Sequence, residues 1–311
     1  MNEKKICVVG LGGVGGYLGT MLASHYQNVC FYARGERLAF IREKGITMHS
    51  AAQGEVTAFP KQISDQAETL GIMDYIFLCV KDFSLVEVLA EISPMICDHT
   101  MIIPLLNGVG VAEKVRQTVR QGMVADGLVY IIAETDQDFA VHLTSPYCKI
   151  FIGYTGPGQY PAARLEEVRV FLQETGITCA IEGDIEAAIW KKYILNCAYN
   201  VLTAYYDGTT SDLRANAAAV SQLKTLLEEA AAVARKLKVK IPDDLEAVHL
   251  DHILHVQAGN STSSLKRDMA AGKPNELAVF SGKLLELAAA AGLELPMTAY
   301  FYGELKKRSP K

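Results

Sequence analysis

Lys192, Asn196 and Asn200 recur at intervals of four in a segment, Ile185 to Tyr206, that is otherwise almost wholly apolar. At about 3.6 residues per turn the three share one face of a helix. Lys191 lies off that face, with Leu195 and Tyr199 as its own neighbours. An ammonium and two amides removed from water are unfavourable unless they find partners. In line on a buried helix, they must therefore meet one another's partners, water or a ligand. A lysine so placed suits general acid chemistry, because its surroundings can tune its hold on the proton. The plainer alternative is a packed polar contact between helices or domains.

A second group of residues carries different chemistry. Gly10-Leu11-Gly12-Gly13-Val14-Gly15 directly follows the apolar run Lys5 to Val9 and opens a helical pattern. In a strand–turn–helix setting the first glycine (Gly10) permits the tight turn. The second (Gly12) lets a pyrophosphate approach the backbone, and the third (Gly15) lets helix pack on strand. The helix N-terminus then offers N–H groups and the positive end of its dipole to the anion. A nicotinamide dinucleotide is the expected ligand. In an NAD enzyme the second strand usually ends on an acid that bonds the ribose 2′-hydroxyl. Here Val29-Cys30-Phe31-Tyr32-Ala33 leads to Arg34, whose guanidinium matches a 2′-phosphate in charge and shape. Arg34, with Arg37 close by, therefore favours NADPH. Glu36 points the other way, since it could bond a ribose from one turn later.

Polar residues also gather near the C-terminus, in Ser261-Thr262-Ser263-Ser264 and in Pro274-Asn275-Glu276. On pattern alone these read as helix starts, with a hydroxyl cap in one and an acid favoured by the dipole in the other. His249, His252 and His255 fall three apart on a helical segment. They lack the i, i+4 pair with a carboxylate typical of helical zinc sites, so an ordinary helix face is expected and no metal. The basic run Arg235 to Lys240 ends a helix, where it complements the dipole as a solvated face.

The elements that must position these groups follow from the hydrophobic pattern. Short apolar runs at 5–9, 29–32, 75–80 and 101–106 alternate with helical segments at 14–24, 36–44, 83–92 and 111–119. Runs without polar alternation belong to strands buried on both faces, as in a parallel sheet covered by helices. Residues 46–49 and 55–59 read as a hairpin. Between 121 and 183 short alternating segments suggest antiparallel strands closing the sheet, and 153–161 reads as a loop. Beyond 184 nearly everything is helical, over 185–206, 215–238, 243–257, 262–271, 276–291 and 296–307. The fold class is thus α/β: an N-terminal Rossmann-type doubly wound sheet over 1–183, followed by an all-helical C-terminal domain over 184–311.

A chain of 311 residues is long enough for two such domains. Its net charge of −5 gives no basic surface for a nucleic acid. No apolar stretch approaches the ~20 residues that span a bilayer, and the N-terminal apolar run is too short for a secretory signal. The seven cysteines are scattered, none in a Cys-x-x-Cys pair, as expected of reduced thiols in the cytoplasm.

The chain resembles the ketopantoate reductase (2-dehydropantoate 2-reductase) family, collinearly over nearly its whole length. The similarity rests on the glycine turn, Cys79-Val80-Lys81, Leu106-Asn107-Gly108-Val109-Gly110, Trp190-Lys191-Lys192-Tyr193-Ile194-Leu195-Asn196-Cys197, Asn200-Val201-Leu202-Thr203-Ala204, Ser263-Ser264-Leu265 and Asn275-Glu276-Leu277. It implies NADPH-dependent reduction of a small-molecule α-keto acid, in pantothenate biosynthesis when that acid is ketopantoate. Lys192 would be the general acid and Glu276 would hold it in register with the substrate. Asn196, Asn200 and Ser264 would bind substrate. Asn107 would lie beside both nicotinamide and substrate, and Lys81 beside the cofactor. Two other readings stay open: a reductase of another 2-keto or hydroxy acid, and a non-catalytic NADP(H)-binding sensor, which would not need Lys192 with Glu276. The helical domain could carry a homodimer interface, although periodicity does not separate core from interface.

Overall fold

The computed structural model describes residues 3–51, 53–156 and 160–309. Residues 157–159 of the loop expected over 153–161 lie outside the described residues. The chain divides into two compact units, Met1–Ile185 and Glu186–Lys311, two residues beyond the division drawn from the sequence.

In the first unit, β1 (Ile6–Val9), α1 (Gly13–His25), β2 (Val29–Tyr32) and α2 (Gly35–Lys44) are followed by the hairpin β3 (Ile46–Ser50) and β4 (Gly54–Ala58). Then come β5 (Gln62–Ser64), α3 (Ala67–Leu70), β6 (Tyr75–Leu78), α4 (Leu85–Glu91), β7 (Met101–Pro104), α5 (Val111–Thr118) and β8 (Met123–Val124). The six-stranded sheet runs β5-β2-β1-β6-β7-β8, with every pair parallel. Alternate residues of its strands supply two separate cores. Ile6, Val8, Phe31, Tyr75, Phe77 and Ile103 face one side with α1 side chains Tyr17, Leu18 and Leu22. Cys7, Val9, Cys30, Ile76, Leu78 and Ile102 face the other with Leu85, Val88 and Leu89 of α4. That two-sided burial explains the unbroken apolar runs.

The expectation that antiparallel strands close this sheet is corrected. Its edge beyond β7 is β8, which pairs in parallel. β9 (Asp126–Tyr130), β10 (Ala133–Thr135), β11 (Val141–Leu143), β12 (Lys149–Gly153) and β13 (Thr178–Ile181) build two further sheets. One, β10-β11-β3-β4, takes in the hairpin; the other is β13-β12-β9. The physical reason lies in α1, which carries apolar or small residues around most of its surface. Ile46, Met48, Val141 and Leu143 of the four-stranded sheet share a core with it, and a Cβ on Gly16 would come within 2.6 Å of Val141. A further helix, α6 (Ala162–Glu174), stands where only short segments were expected; it buries Leu165, Val168, Phe171 and Leu172.

The second unit is helical: α7 (Ile185–Tyr205), α8 (Thr210–Ala215), α9 (Ala217–Lys236), α10 (Leu245–Asp251), α11 (Ser264–Ala270), α12 (Lys283–Ala290) and α13 (Pro296–Arg308). Wide π-type turns extend α10 over His252–Val256 and precede α12 over Ala278–Gly282. The short α8 is new; a reciprocal Thr209–Asp212 cap makes it stable enough to form. Glu229 of α9 accepts from the backbone N–H of Met297 (2.9 Å) and Thr298 (2.8 Å) and from the Thr298 hydroxyl (2.6 Å). A carboxylate from one helix thus caps another, which fixes α13 on α9. Arg235 of the basic run is held by Glu246 (2.5 Å), so it is not merely a solvated charge. Among the described residues, no helix is long and apolar enough to cross a membrane.

The turn at Gly15 makes a direct test of the first unit. A Cβ there would lie 1.9 Å from the Gly10 carbonyl oxygen and 2.8 Å from the Cys79 Cβ. Gly15→Ala should therefore cost about 1–3 kcal/mol or more of stability, read as a lowered Tm; an unchanged Tm would contradict this packing.

Candidate functional site

In the first unit, Tyr32, Val9, Leu78 and Pro104 stand side by side across four adjacent strands. Arg34, Gly10, Lys81 and Asn107 follow them by no more than three residues, so all four lie along the C-terminal edge of the parallel sheet. The strand order reverses between β1 and β6, and the crevice at such a switch point is where doubly wound sheets take their ligands.

The glycine turn supplies the anion-binding part. Gly10 has φ +86°, in the region that only glycine enters freely. A Cβ on Gly13 would strike the Ala133 carbonyl oxygen at 2.2 Å, so this glycine, like Gly15, is required by the protein's own packing. Gly12 differs: a Cβ there would meet no atom within 4 Å. It sits at the N-cap of α1, where no side chain caps the helix. Val14 is the second residue of that helix, and the Leu11 carbonyl accepts a hydrogen bond from the Arg37 guanidinium. An open approach to an uncapped helix N-terminus fits a dinucleotide pyrophosphate. Arg37 thus braces the turn, a role that sequence alone did not show.

Arg34 occupies the N-cap of α2, at the expected point after β2. Its guanidinium pairs with Glu87 (3.1 Å) and Glu91 (2.5 Å) of α4, and the Tyr32 hydroxyl also donates to Glu91 (2.8 Å). Neither glutamate was singled out from the sequence, because nothing in the spacing of α4 links it to the end of β2. The loop after β6 that carries Lys81 is tied to α5 by Lys114–Asp82 (3.1 Å). Asn107 is half-buried and precedes Gly108 and Gly110, both at positive φ, which turn the chain into α5.

In the second unit, α7 presents Lys192 and Asn196 half-buried and Asn200 buried. Burial pushes the Lys192 ammonium down to about 8, against the opposing pull of the Glu276 carboxylate, which favours the charged form. Glu276 is itself only 3% exposed. The helix-start reading of this segment belongs to its neighbour: Asn275 Oδ1 accepts from the Leu277 N–H (3.1 Å). Asn275 does the capping, and the Glu276 charge acts on Lys192. The hydroxyl run divides its labour in the same way. Ser263 caps α11 by accepting from the Lys266 N–H (3.1 Å), and Ser264 follows half-buried in the first turn. Ser263 also accepts from the Thr203 hydroxyl (2.7 Å) and donates to the Asn200 carbonyl (3.4 Å). The start of α11 is thereby fixed on α7 beside Asn200.

The three histidines do not converge. The ring of His249 is bonded to the Lys191 carbonyl (2.9 Å), while His252 and His255 are exposed. Among the described residues, no group of three His, Cys, Asp or Glu side chains could hold a metal ion.

A parallel sheet with an uncapped glycine turn, in a chain whose helical unit bears a half-buried lysine under the influence of a carboxylate, fits the class of dinucleotide-dependent oxidoreductases. The particular family follows from comparison with known proteins. Residues 6–157 match the family described as Ketopantoate reductase PanE/ApbA, and residues 184–309 match its C-terminal part. The chain belongs to the ketopantoate reductase family. It is 30% identical over 305 residues to an uncharacterized oxidoreductase, YkpB, of Bacillus subtilis, covering 97% of this chain and 98% of that one. It is 26% identical over 310 residues to a 2-dehydropantoate 2-reductase of Mesorhizobium japonicum, covering 91% of each. The crystal structure of 2-dehydropantoate 2-reductase from Porphyromonas gingivalis superimposes with a TM-score of 0.82 at 30% identity, over 97% of this chain and 99% of that one.

The open space at Gly12 separates binding from stability. Gly12→Ala should leave Tm nearly unchanged yet weaken dinucleotide binding at least tenfold in a direct titration, since the new methyl would stand in the anion's path. Unweakened binding would place the pyrophosphate elsewhere.

Proposed function

We propose that the chain reduces 2-dehydropantoate (ketopantoate) to pantoate with NADPH. The observation that carries this reading is the half-buried Lys192 ammonium, in line with Asn196 and Asn200 on an otherwise apolar helix and under the charge of the buried Glu276. When bound, the reduced nicotinamide supplies a hydride to the keto carbon. Lys192 gives its proton to the carbonyl oxygen, and its charge stabilises the developing alkoxide. Glu276 counters the cost of burying the ammonium and keeps it charged at neutral pH. Asn196, Asn200 and Ser264 bond the carboxylate and hydroxyl of the substrate. The backbone of Gly10 to Gly15 holds the pyrophosphate, Arg34 the 2′-phosphate, and Lys81 and Asn107 line the same sheet edge.

A general acid that titrates near 8 is protonated below that pH and loses its proton above it. Turnover is expected to fall as pH rises through about 8. Lys192→Ala should reduce turnover by about 10²–10⁴-fold while NADPH binding stays nearly intact; unchanged turnover would refute the acid role. NADPH consumption with ketopantoate, then with a panel of other 2-keto acids, fixes the substrate. Oxidation with none of them would favour the sensor reading.

Arg34→Ala should weaken NADPH binding much more than NADH binding. Equal losses would show that this guanidinium does not read a 2′-phosphate.

A further inference from the structure

Helix α7 carries a second stripe, one residue on from Lys192 and Asn196. It consists of Tyr193 and Cys197, again four apart. Both are buried, and by composition both read as core filling. Each instead spends its polar hydrogen on one segment of backbone. The Tyr193 hydroxyl donates to the Val279 carbonyl (2.7 Å), and the Cys197 thiol donates to the Phe280 carbonyl (3.0 Å). Burial raises the proton affinity of both groups, so both remain donors at neutral pH.

The receiving segment begins at Glu276. The N–H groups of Val279 and Phe280 donate to the Glu276 carbonyl at 3.0 and 3.1 Å. The same two residues therefore grip Glu276 through their N–H groups and α7 through their C=O groups. They lie in the wide turn Ala278–Gly282, a backbone form that is rare overall and frequent at functional sites. A regular helix here would set these carbonyls in a different register against α7. The turn persists where surrounding contacts over-determine it, and two buried donors from α7 are such contacts.

We propose that Tyr193 and Cys197 are positioning residues, which hold the Glu276 turn against α7 so that the Glu276 carboxylate faces the Lys192 ammonium. Lys192 and Tyr193 are adjacent on one rigid helix, so anchoring the turn at Tyr193 sets the separation of the two charges. The inference deepens the role given above to Glu276 and rests on its pairing with Lys192. It does not require Lys192 to be the acid. If the anchors loosen, the carboxylate supports the ammonium less, and the lysine gives up its proton at lower pH.

The test reads that titration directly. Competitive acetylation of Lys192 by acetic anhydride, followed by mass spectrometry across pH, yields the midpoint in the intact protein whether or not it turns over. Wild type should titrate at about 8. Glu276→Gln should lower the midpoint, and Tyr193→Phe and Cys197→Ala should lower it by about half a unit or more. Cys197→Ser, which keeps a donor, should stay near wild type. An unmoved midpoint in Tyr193→Phe and Cys197→Ala, with only Tm reduced, would leave both as core filling and overturn the proposal. An unmoved midpoint in Glu276→Gln would overturn it at its premise. Should Tyr193→Phe fail to fold, the Cys197→Ala and Cys197→Ser pair decides alone. Failure of the acid role shows elsewhere, as retained turnover in Lys192→Ala.

Discussion

A charged amine on a helix that is otherwise built to be buried is the constraint around which the second unit is organised. The apolar side chains of α7 drive the helix into the interior, and Lys192 is drawn partly out of water with them. Burial favours the neutral amine, and a nearby carboxylate favours the ammonium. The balance lies near 8, where a side chain can hold a proton at neutral pH and still release it. An exposed lysine would hold its proton too tightly to be an efficient donor, and a buried one without Glu276 would lose it too early.

The first unit solves a different problem with similar means. Its parallel strands are buried on both faces, which leaves their C-terminal edge as the place where polar backbone and side chains collect. Gly10, Arg34, Lys81 and Asn107 stand along that edge because the register of four strands brings their ends together. The glycines of the turn are not equivalent. Gly13 and Gly15 are small because the protein itself packs against them, and Gly12 leaves open space. A motif read as one unit thus divides into positions that serve packing and one that packing leaves open.

Much of this was legible in the sequence. Unbroken apolar runs reported a two-sided sheet, and the spacing of Lys192, Asn196 and Asn200 reported a polar face on a buried helix. The parts that escaped depend on where elements meet. The separate sheets around β9 to β13 could not be read, since pairing partners are set by tertiary cover, for α1 in the four-stranded sheet and with α6 in the three-stranded one, and not by local alternation. The Glu87–Arg34–Glu91 cluster joins segments more than fifty residues apart. Tyr193 and Cys197 were hidden for another reason: a hydroxyl or thiol on an apolar helix looks like core until its acceptor is seen. Asn275 and Ser263 show the converse. The caps were expected in those segments, yet only the structure shows that Asn275 and Ser263 make them and that their neighbours Glu276 and Ser264 do not.

The central claim is that the proton delivered to the keto oxygen comes from Lys192. The most direct measurement is the pH dependence of a single turnover with NADPH and ketopantoate in the wild type and in Lys192→Arg, whose guanidinium keeps its proton throughout the accessible range. The account predicts a one-proton decline in the wild-type rate centred at about 8, and a slower variant whose rate shows no such decline. The same midpoint in both proteins would contradict it, because the titrating group would then lie elsewhere.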